Sequence, residues 1–134
     1  MLHHVELYVS ELARTRVFWT PLLAKLGYQV TGSWGDGFTL SNERDAYLTF
    51  VQVADAHSDV AFHRCKVGLN HLAFTAPNRA TVDAMRTHCL ETGATCLYDD
   101  RYPFANGGSE YYALFVEDPD RIKVEFVAAQ ARGA

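Results

Sequence analysis

His4-Val5-Glu6-Leu7-Tyr8-Val9 returns in altered form 67 residues later as His71-Leu72-Ala73-Phe74-Thr75-Ala76. Each stretch opens on histidine and continues as a short apolar run, so each reads as a β-strand. Ser10 follows the first strand and Pro77-Asn78 follows the second, which makes Ser10 and Asn78 the expected N-caps of two helices. The helices end at Gly27 and Gly93, where glycine commonly takes the left-handed stop conformation. Leu12, Phe18, Leu22 and Leu26, with Trp19 and Leu23 beside them, mark an apolar stripe on the first helix. Val82, Met85 and Cys89 mark one on the second. Both stripes read as core packing. Pro21 lies inside the first helix and is expected to kink it by removing the hydrogen bond to Val17.

Strand-like runs follow each helix, at 28–34, 37–40 and 46–53, then at 94–98, 111–116 and 121–127. Gly35-Asp36-Gly37, Ser41-Asn42, Asn106-Gly107-Gly108 and Asp118-Pro119-Asp120 supply turns between them. The expected fold class is α+β, built from two βαβββ modules that form a curved mixed sheet with helices on its outer face. Module one covers about residues 1–53, a polar connector 54–67, and module two about 68–128, within a single domain of residues 1–134. One module is too small to bury its sheet alone, so two are expected to pack together, within the chain or across a dimer, and share a cavity.

Composition narrows the function classes. The chain has 134 residues, is 49% hydrophobic and 21% charged, and carries a formal charge of −4. That balance gives no basic surface for nucleic acid. No apolar run reaches the roughly 20 residues of a membrane helix. The N-terminus shows no basic region followed by an apolar stretch, so no signal peptide is expected. Cys65, Cys89 and Cys96 are odd in number and form no Cys-x-x-Cys pair, so neither a disulfide framework nor a zinc knuckle is indicated. The expected home is the cytoplasm.

Side-chain alternation then picks out a donor set. Val5, Leu7 and Val9 suit contact with a helix, which leaves His4, Glu6 and Tyr8 on the other face. The same reasoning turns His71 and Glu125 away from the helix of the second module. Two imidazoles and a carboxylate bind one face of a divalent ion and leave positions open. The competing reading is that these histidines are hydrogen-bonded core residues. The loop 98–108 is long enough to act as a lid or binding loop. In it Arg101 is a candidate for an anionic substrate group, and Tyr102 (or Tyr111 beyond the loop) for a proton or hydrogen-bond donor. His63, at the end of the connector, is a candidate acid or base. Loop and surface roles are the ordinary alternatives for all of these.

The stretches Leu2-His3-His4-Val5-Glu6-Leu7-Tyr8-Val9, Gly68-Leu69-Asn70-His71-Leu72-Ala73-Phe74 and Asp118-Pro119-Asp120-Arg121-Ile122-Lys123-Val124-Glu125-Phe126 resemble the vicinal oxygen chelate superfamily. That group includes glyoxalase I, extradiol dioxygenases, fosfomycin-resistance transferases, methylmalonyl-CoA epimerase and bleomycin-binding proteins. The resemblance implies a glyoxalase-like fold and a divalent metal, Fe2+, Mn2+, Zn2+ or Ni2+, held by His4, His71 and Glu125. It implies a small oxygen-bearing substrate, a homodimer, and lyase, dioxygenase or transferase chemistry, with Glu125 also touching the reaction. It also allows a non-catalytic drug-binding protein, although such members generally lack the metal triad. Glyoxalase I and the epimerase usually add a fourth ligand on the last strand of the first module. Aligning Leu48-Thr49-Phe50-Val51 with Val124-Glu125-Phe126-Val127 puts Thr49 there, and nearby Gln52 has the wrong parity. The fourth ligand is therefore expected to be absent.

Overall fold

The computed structural model describes residues 1–130. The chain divides into two compact units, Met1–Phe62 and a second that begins at His63. The division falls inside the polar connector.

In the first unit the order is β1 (His4–Val9), α1 (Leu12–Ala24), β2 (Gln29–Trp34), β3 (Gly37–Ser41) and β4 (Tyr47–Gln52). The second unit repeats it with β5 (His71–Ala76), α2 (Arg79–Thr92), β6 (Thr95–Leu97), β7 (Ala113–Glu117) and β8 (Lys123–Ala128). Each unit has a four-stranded mixed sheet, ordered β1-β4-β3-β2 and β5-β8-β7-β6. In each sheet the first and last strands of the unit pair in parallel, and the remaining pairs are antiparallel. This is the expected duplicated βαβββ architecture.

The helix-facing side of each sheet makes the core. In the first unit Trp19, Leu22 and Leu23 of α1 are fully buried with Phe38, Leu40 and Phe50 of the sheet. Trp19 and Phe38 both lie against the Phe50 ring, at 5.0 Å and 5.1 Å between centroids. In the second unit Val82, Met85 and Cys89 of α2 are buried with Leu114, Val116, Val124 and Phe126. Each large apolar side chain so buried contributes about 1.5–3 kcal/mol.

The second helix follows its expected stripe, whereas the first is rotated. Thr15, Trp19, Leu22 and Leu23 are its buried residues, while Leu12, Phe18 and Leu26 are only half-buried. The indole of Trp19 takes the centre of the stripe because its area is the largest available on that helix. The helix runs through Pro21, whose side chain lies on the exposed side.

The helix starts also differ from one another. Asn78 caps α2 as expected, its Oδ1 accepting from the Thr81 backbone N–H at 2.8 Å. Gly93 closes that helix with φ of 77°, in the left-handed region. Ser10 is not the N-cap of α1; that position is Glu11, which makes no side-chain capping bond. Gln52, at the end of β4, does the work instead. Its Oε1 accepts from the Leu12 N–H at 2.9 Å and its Nε2 donates to the Ser10 carbonyl at 2.7 Å. One amide therefore ties the last strand of the unit to the first turn of its helix. Gln52→Ala is expected to lower stability by about 1 kcal/mol, as loss of a helix cap does. Denaturant melts should show a lower midpoint with an unchanged slope.

Candidate functional site

The register of β5 against β8 builds a polar group around Glu125. Ala73 lies opposite Glu125 and His71 lies opposite Lys123. Leu72, Phe74, Val124 and Phe126 take the helix side of the sheet, so His71, Lys123 and Glu125 share the side that α2 does not cover. His71 Nε2 stands 3.3 Å from Glu125 Oε1. The Glu125 side chain is only 3% exposed, and that of His71 is about one-third exposed at 34%.

The surroundings of this pair fix what each atom can do. His71 Nδ1 lies 2.7 Å from Asn70 Oδ1, an acceptor, so Nδ1 carries the proton and donates. In the neutral ring Nε2 then presents a bare lone pair toward a carboxylate oxygen. The other carboxylate oxygen, Oε2, accepts the hydroxyl of Tyr111. That bond, with a smaller effect from burial, pushes the Tyr111 phenol up to about 12, so it stays a neutral donor. Two lone-pair donors that face one another call for a proton or a metal cation between them. An outer partner that fixes the imidazole tautomer is the usual companion of a metal-binding histidine. The chemistry of this donor set fits a divalent ion.

A cationic edge lies on the same side. Lys123 Nζ donates to the Tyr98 hydroxyl at 3.2 Å and sits 4.9 Å from the centre of that ring and 5.1 Å from that of Phe115. Arg101, exposed in a 3-10 turn, places its guanidinium 5.5 Å from the same Tyr98 ring. Both cations interact favourably with the aromatic face.

Tyr102 goes elsewhere. Its hydroxyl and that of Tyr112 both donate to Asp83 Oδ1 on α2, so both rings are held at the helix side of the sheet. For Tyr112 the reason is alternation: Leu114 and Tyr112 share one parity, Ala113 and Tyr111 the other. Arg86 stacks on the Tyr102 ring at 4.7 Å and holds Asp99 by two bonds of 2.8 Å. The structure thus brings Tyr111, and not Tyr102, to Glu125. His63 is likewise not brought there. It is exposed, and its Nδ1 accepts from the Cys65 N–H at 3.1 Å within a local turn. Its neighbour Arg64 pairs with Glu117 at 2.6 Å.

In the first unit His4 is exposed at the start of β1, stacked flat on Tyr47 at 4.6 Å. Its Nδ1 lies 2.8 Å from His3 Nδ1. Thr49 is 5% exposed and its hydroxyl pairs with that of Thr39 at 2.8 Å. Among the described residues no group of three or more His, Cys, Asp and Glu side chains is gathered to hold a metal. Of the expected donors the structure brings His71 and Glu125 together; His4 belongs to the other unit.

Asn70, Tyr98 and Lys123 were missed by sequence reasoning. Parity counted back from Phe115 would have separated Tyr111 from Tyr112. Nothing in the sequence marks Asn70 except that it precedes His71.

Comparison with known proteins agrees with this architecture. The profile of the Glyoxalase/Bleomycin resistance protein/Dioxygenase superfamily matches residues 1–126. The chain belongs to that superfamily. A curated relative, the uncharacterized protein YqjT of Bacillus subtilis (strain 168), is 48% identical over 95% of this chain and 98% of its own length. A crystal structure of a glyoxalase candidate from Bacillus halodurans is 47% identical, with a TM-score of 0.91 over 96% of each chain. Lactoylglutathione lyase from Agrobacterium tumefaciens shares the fold at 22% identity, with a TM-score of 0.64 over 96% of this chain and 93% of its own. Among the described residues no helix is long and apolar enough to cross a membrane.

The Asp83 cluster yields a pH test. Burial first, then the bond to Asp83, holds the Tyr102 phenol well above its ordinary value of 10.0, and the Tyr112 phenol is raised for the same two reasons. Their contribution to stability is therefore complete below pH 10 and lost as the pH rises through the raised folded values. Asp83→Ala is expected to cost about 1–3 kcal/mol by removing the acceptor of two hydroxyls. Ultraviolet titration should show phenols of the folded variant ionising at lower pH than in the parent.

Proposed function

We propose that this chain is a metal-dependent enzyme acting on a small oxygen-bearing substrate, with a divalent ion held by His71, Glu125 and His4. The observation that carries this reading is the approach of His71 Nε2 to Glu125 Oε1 at 3.3 Å, with Asn70 holding the proton on the far nitrogen. When bound, such an ion supplies Lewis-acid stabilisation of an oxyanion or enolate. The residues of the chain do the rest. Asn70 orients His71. Tyr111, kept neutral, donates to Glu125 and holds that carboxylate in place. Arg101, beside Tyr98, is available to an anionic group of the substrate.

Lyase, dioxygenase and transferase chemistry are all compatible with this donor set, and with Fe2+, Mn2+, Zn2+ or Ni2+ as the ion. Pairing with a second copy of the chain is part of the same proposal, and sedimentation of the purified protein measures it. The three free cysteines, with the Cys89 thiol pushed up to about 12 by burial, suit a reducing compartment such as the cytoplasm.

A second reading, a non-catalytic binder of aromatic ligands, draws on the first sheet. Tyr8 is 71% exposed there and Trp34 is 46% exposed. Trp34 lies across Gly37, where an added Cβ would come within 2.4 Å of the indole.

Elemental analysis of untagged protein, prepared without chelator, separates the two. Near-stoichiometric metal in the parent, lost in His71→Ala and Glu125→Ala, is the expected result. Asn70→Ala should bind about 10- to 100-fold more weakly, as loss of an outer-shell partner does. A parent that takes up none of the four metals on reconstitution would overturn the enzyme reading in favour of the binder.

A further inference from the structure

Lys123 lies opposite His71 across the parallel strand pair and two residues before Glu125 on its own strand. Both steps stay on one face of the sheet. Its Cα is therefore about 4.8 Å from that of His71 and about 6.7 Å from that of Glu125. The ammonium stands at the Tyr98 hydroxyl, 3.2 Å away, and over the rings of Tyr98 and Phe115. Phe115 is the residue opposite Glu125 on its other flank, so these rings adjoin the same carboxylate. Arg101 brings a second cation to within 5.5 Å of the Tyr98 ring centre. Among the described residues neither Lys123 nor Arg101 makes an ion pair. Two neighbouring acids are already taken. Glu117, opposite Lys123, holds Arg64 at 2.6 Å and Arg121 at 3.8 Å, and Asp99 holds Arg86 at 2.8 Å. Tyr98 carries its ring from an uncommon backbone state, left-handed with φ of 57°. Such positions concentrate at ligand clamps. The bidentate grip of Arg86 on Asp99 fixes the turn that follows.

We propose that Lys123 and Arg101, gathered on Tyr98, form an oxyanion subsite that selects the substrate. It binds the carboxylate or phosphonate of a small organic acid whose neighbouring oxygen is presented to His71 and Glu125. This rests on the metal-dependent reading above and deepens it: the substrate class is an organic acid and not a neutral carbonyl compound. The donors support it. An ammonium has three N–H donors and a guanidinium five. Lys123 gives one to Tyr98, and the Arg101 side chain gives none among the described residues. Donors of this kind bind an oxyanion about twice as strongly as neutral ones do. The aromatic rings hold the two cations without cancelling their charge. The spacing supports it as well. An anionic group at Lys123 is one strand spacing from His71, a span within reach of a hydroxy acid of a few carbons. Lys123 is the nearer cation to the pair. Arg101 is exposed in its turn, where its long side chain can close over the anion.

The test is calorimetric titration of the full chain loaded with Zn2+, its metal content verified. The probes are glycolate, hydroxymethylphosphonate and glycolamide, which share a hydroxyl and differ in the group beside it. The parent is expected to bind an anion in preference to the amide, and the better of the two anions identifies the group. Because the ion itself favours anions, the quantity read is the change in that preference between parent and variant. Lys123→Met keeps the apolar stem on Tyr98 and Phe115 and is expected to reduce the preference about tenfold, the scale of a charged hydrogen bond. Lys123→Arg is expected to retain most of it, and Arg101→Gln to reduce it less than Lys123→Met does. Circular dichroism verifies each fold, and should Lys123→Met not fold, Arg101→Gln decides the same question. An unchanged preference in the folded variant, or a loaded parent that prefers neither anion, overturns the subsite and leaves the metal reading intact. A parent that takes up no metal overturns both.

Discussion

Parallel pairing between the first and last strands of each module is the constraint on which the rest of the structure depends. A one-residue slip between β5 and β8 would leave Ala73 without Glu125 opposite and turn the acid toward Val82 and Met85. The apolar residues of both strands oppose such a slip because it would turn them away from α2. Core packing on one face thereby sets the meeting of His71 with Glu125 on the other. The same logic operates in the first unit, where Leu48 and Phe50 fix the register that places Glu6 beside Thr49.

Glu125 shows how a buried carboxylate is made tolerable. At 3% exposure it would be costly if left bare. One oxygen receives the Tyr111 hydroxyl, and the other faces an imidazole whose far nitrogen is tied to Asn70. The site is therefore assembled from three separate pieces of chain: the residues at the start of β5, the approach to β7, and the middle of β8. The two modules have kept the frame and diverged in what it displays.

Much of the fold was legible because it is local. Both first strands, the cap at Asn78 and the stripe of α2 depend on neighbours within a few residues. The α1 N-terminus was not legible, because its partner Gln52 lies 40 residues away and reaches it only after β4 has docked. The stripe of α1 was misplaced by one helical step because periodicity weighs Leu12 and Phe18 like Trp19, whereas packing favours the larger ring. At the site, alternation placed His71 and Glu125 on one face correctly. It also held the information that separates Tyr111 from Tyr112, since the strand can be counted backwards from Phe115. Tyr102 is not brought to Glu125 because Asp83, on a helix earlier in the chain, takes its hydroxyl. No short-range pattern announces such a contact.

Tyr111 and Tyr112 are adjacent, yet they serve carboxylates on opposite sides of one sheet, Glu125 and Asp83. This couples chain length to chemistry. Between the pair and β7, which starts at the next residue, a single insertion would turn Tyr112 to the side of Glu125 and Tyr111 to the side of Asp83. The segment just before β7 thus acts as a reading frame for the site. The loop ahead of it is tied to the same frame, since the Pro103 carbonyl accepts the Ala113 N–H at 3.0 Å and the Tyr102 and Phe104 rings pack against Tyr112.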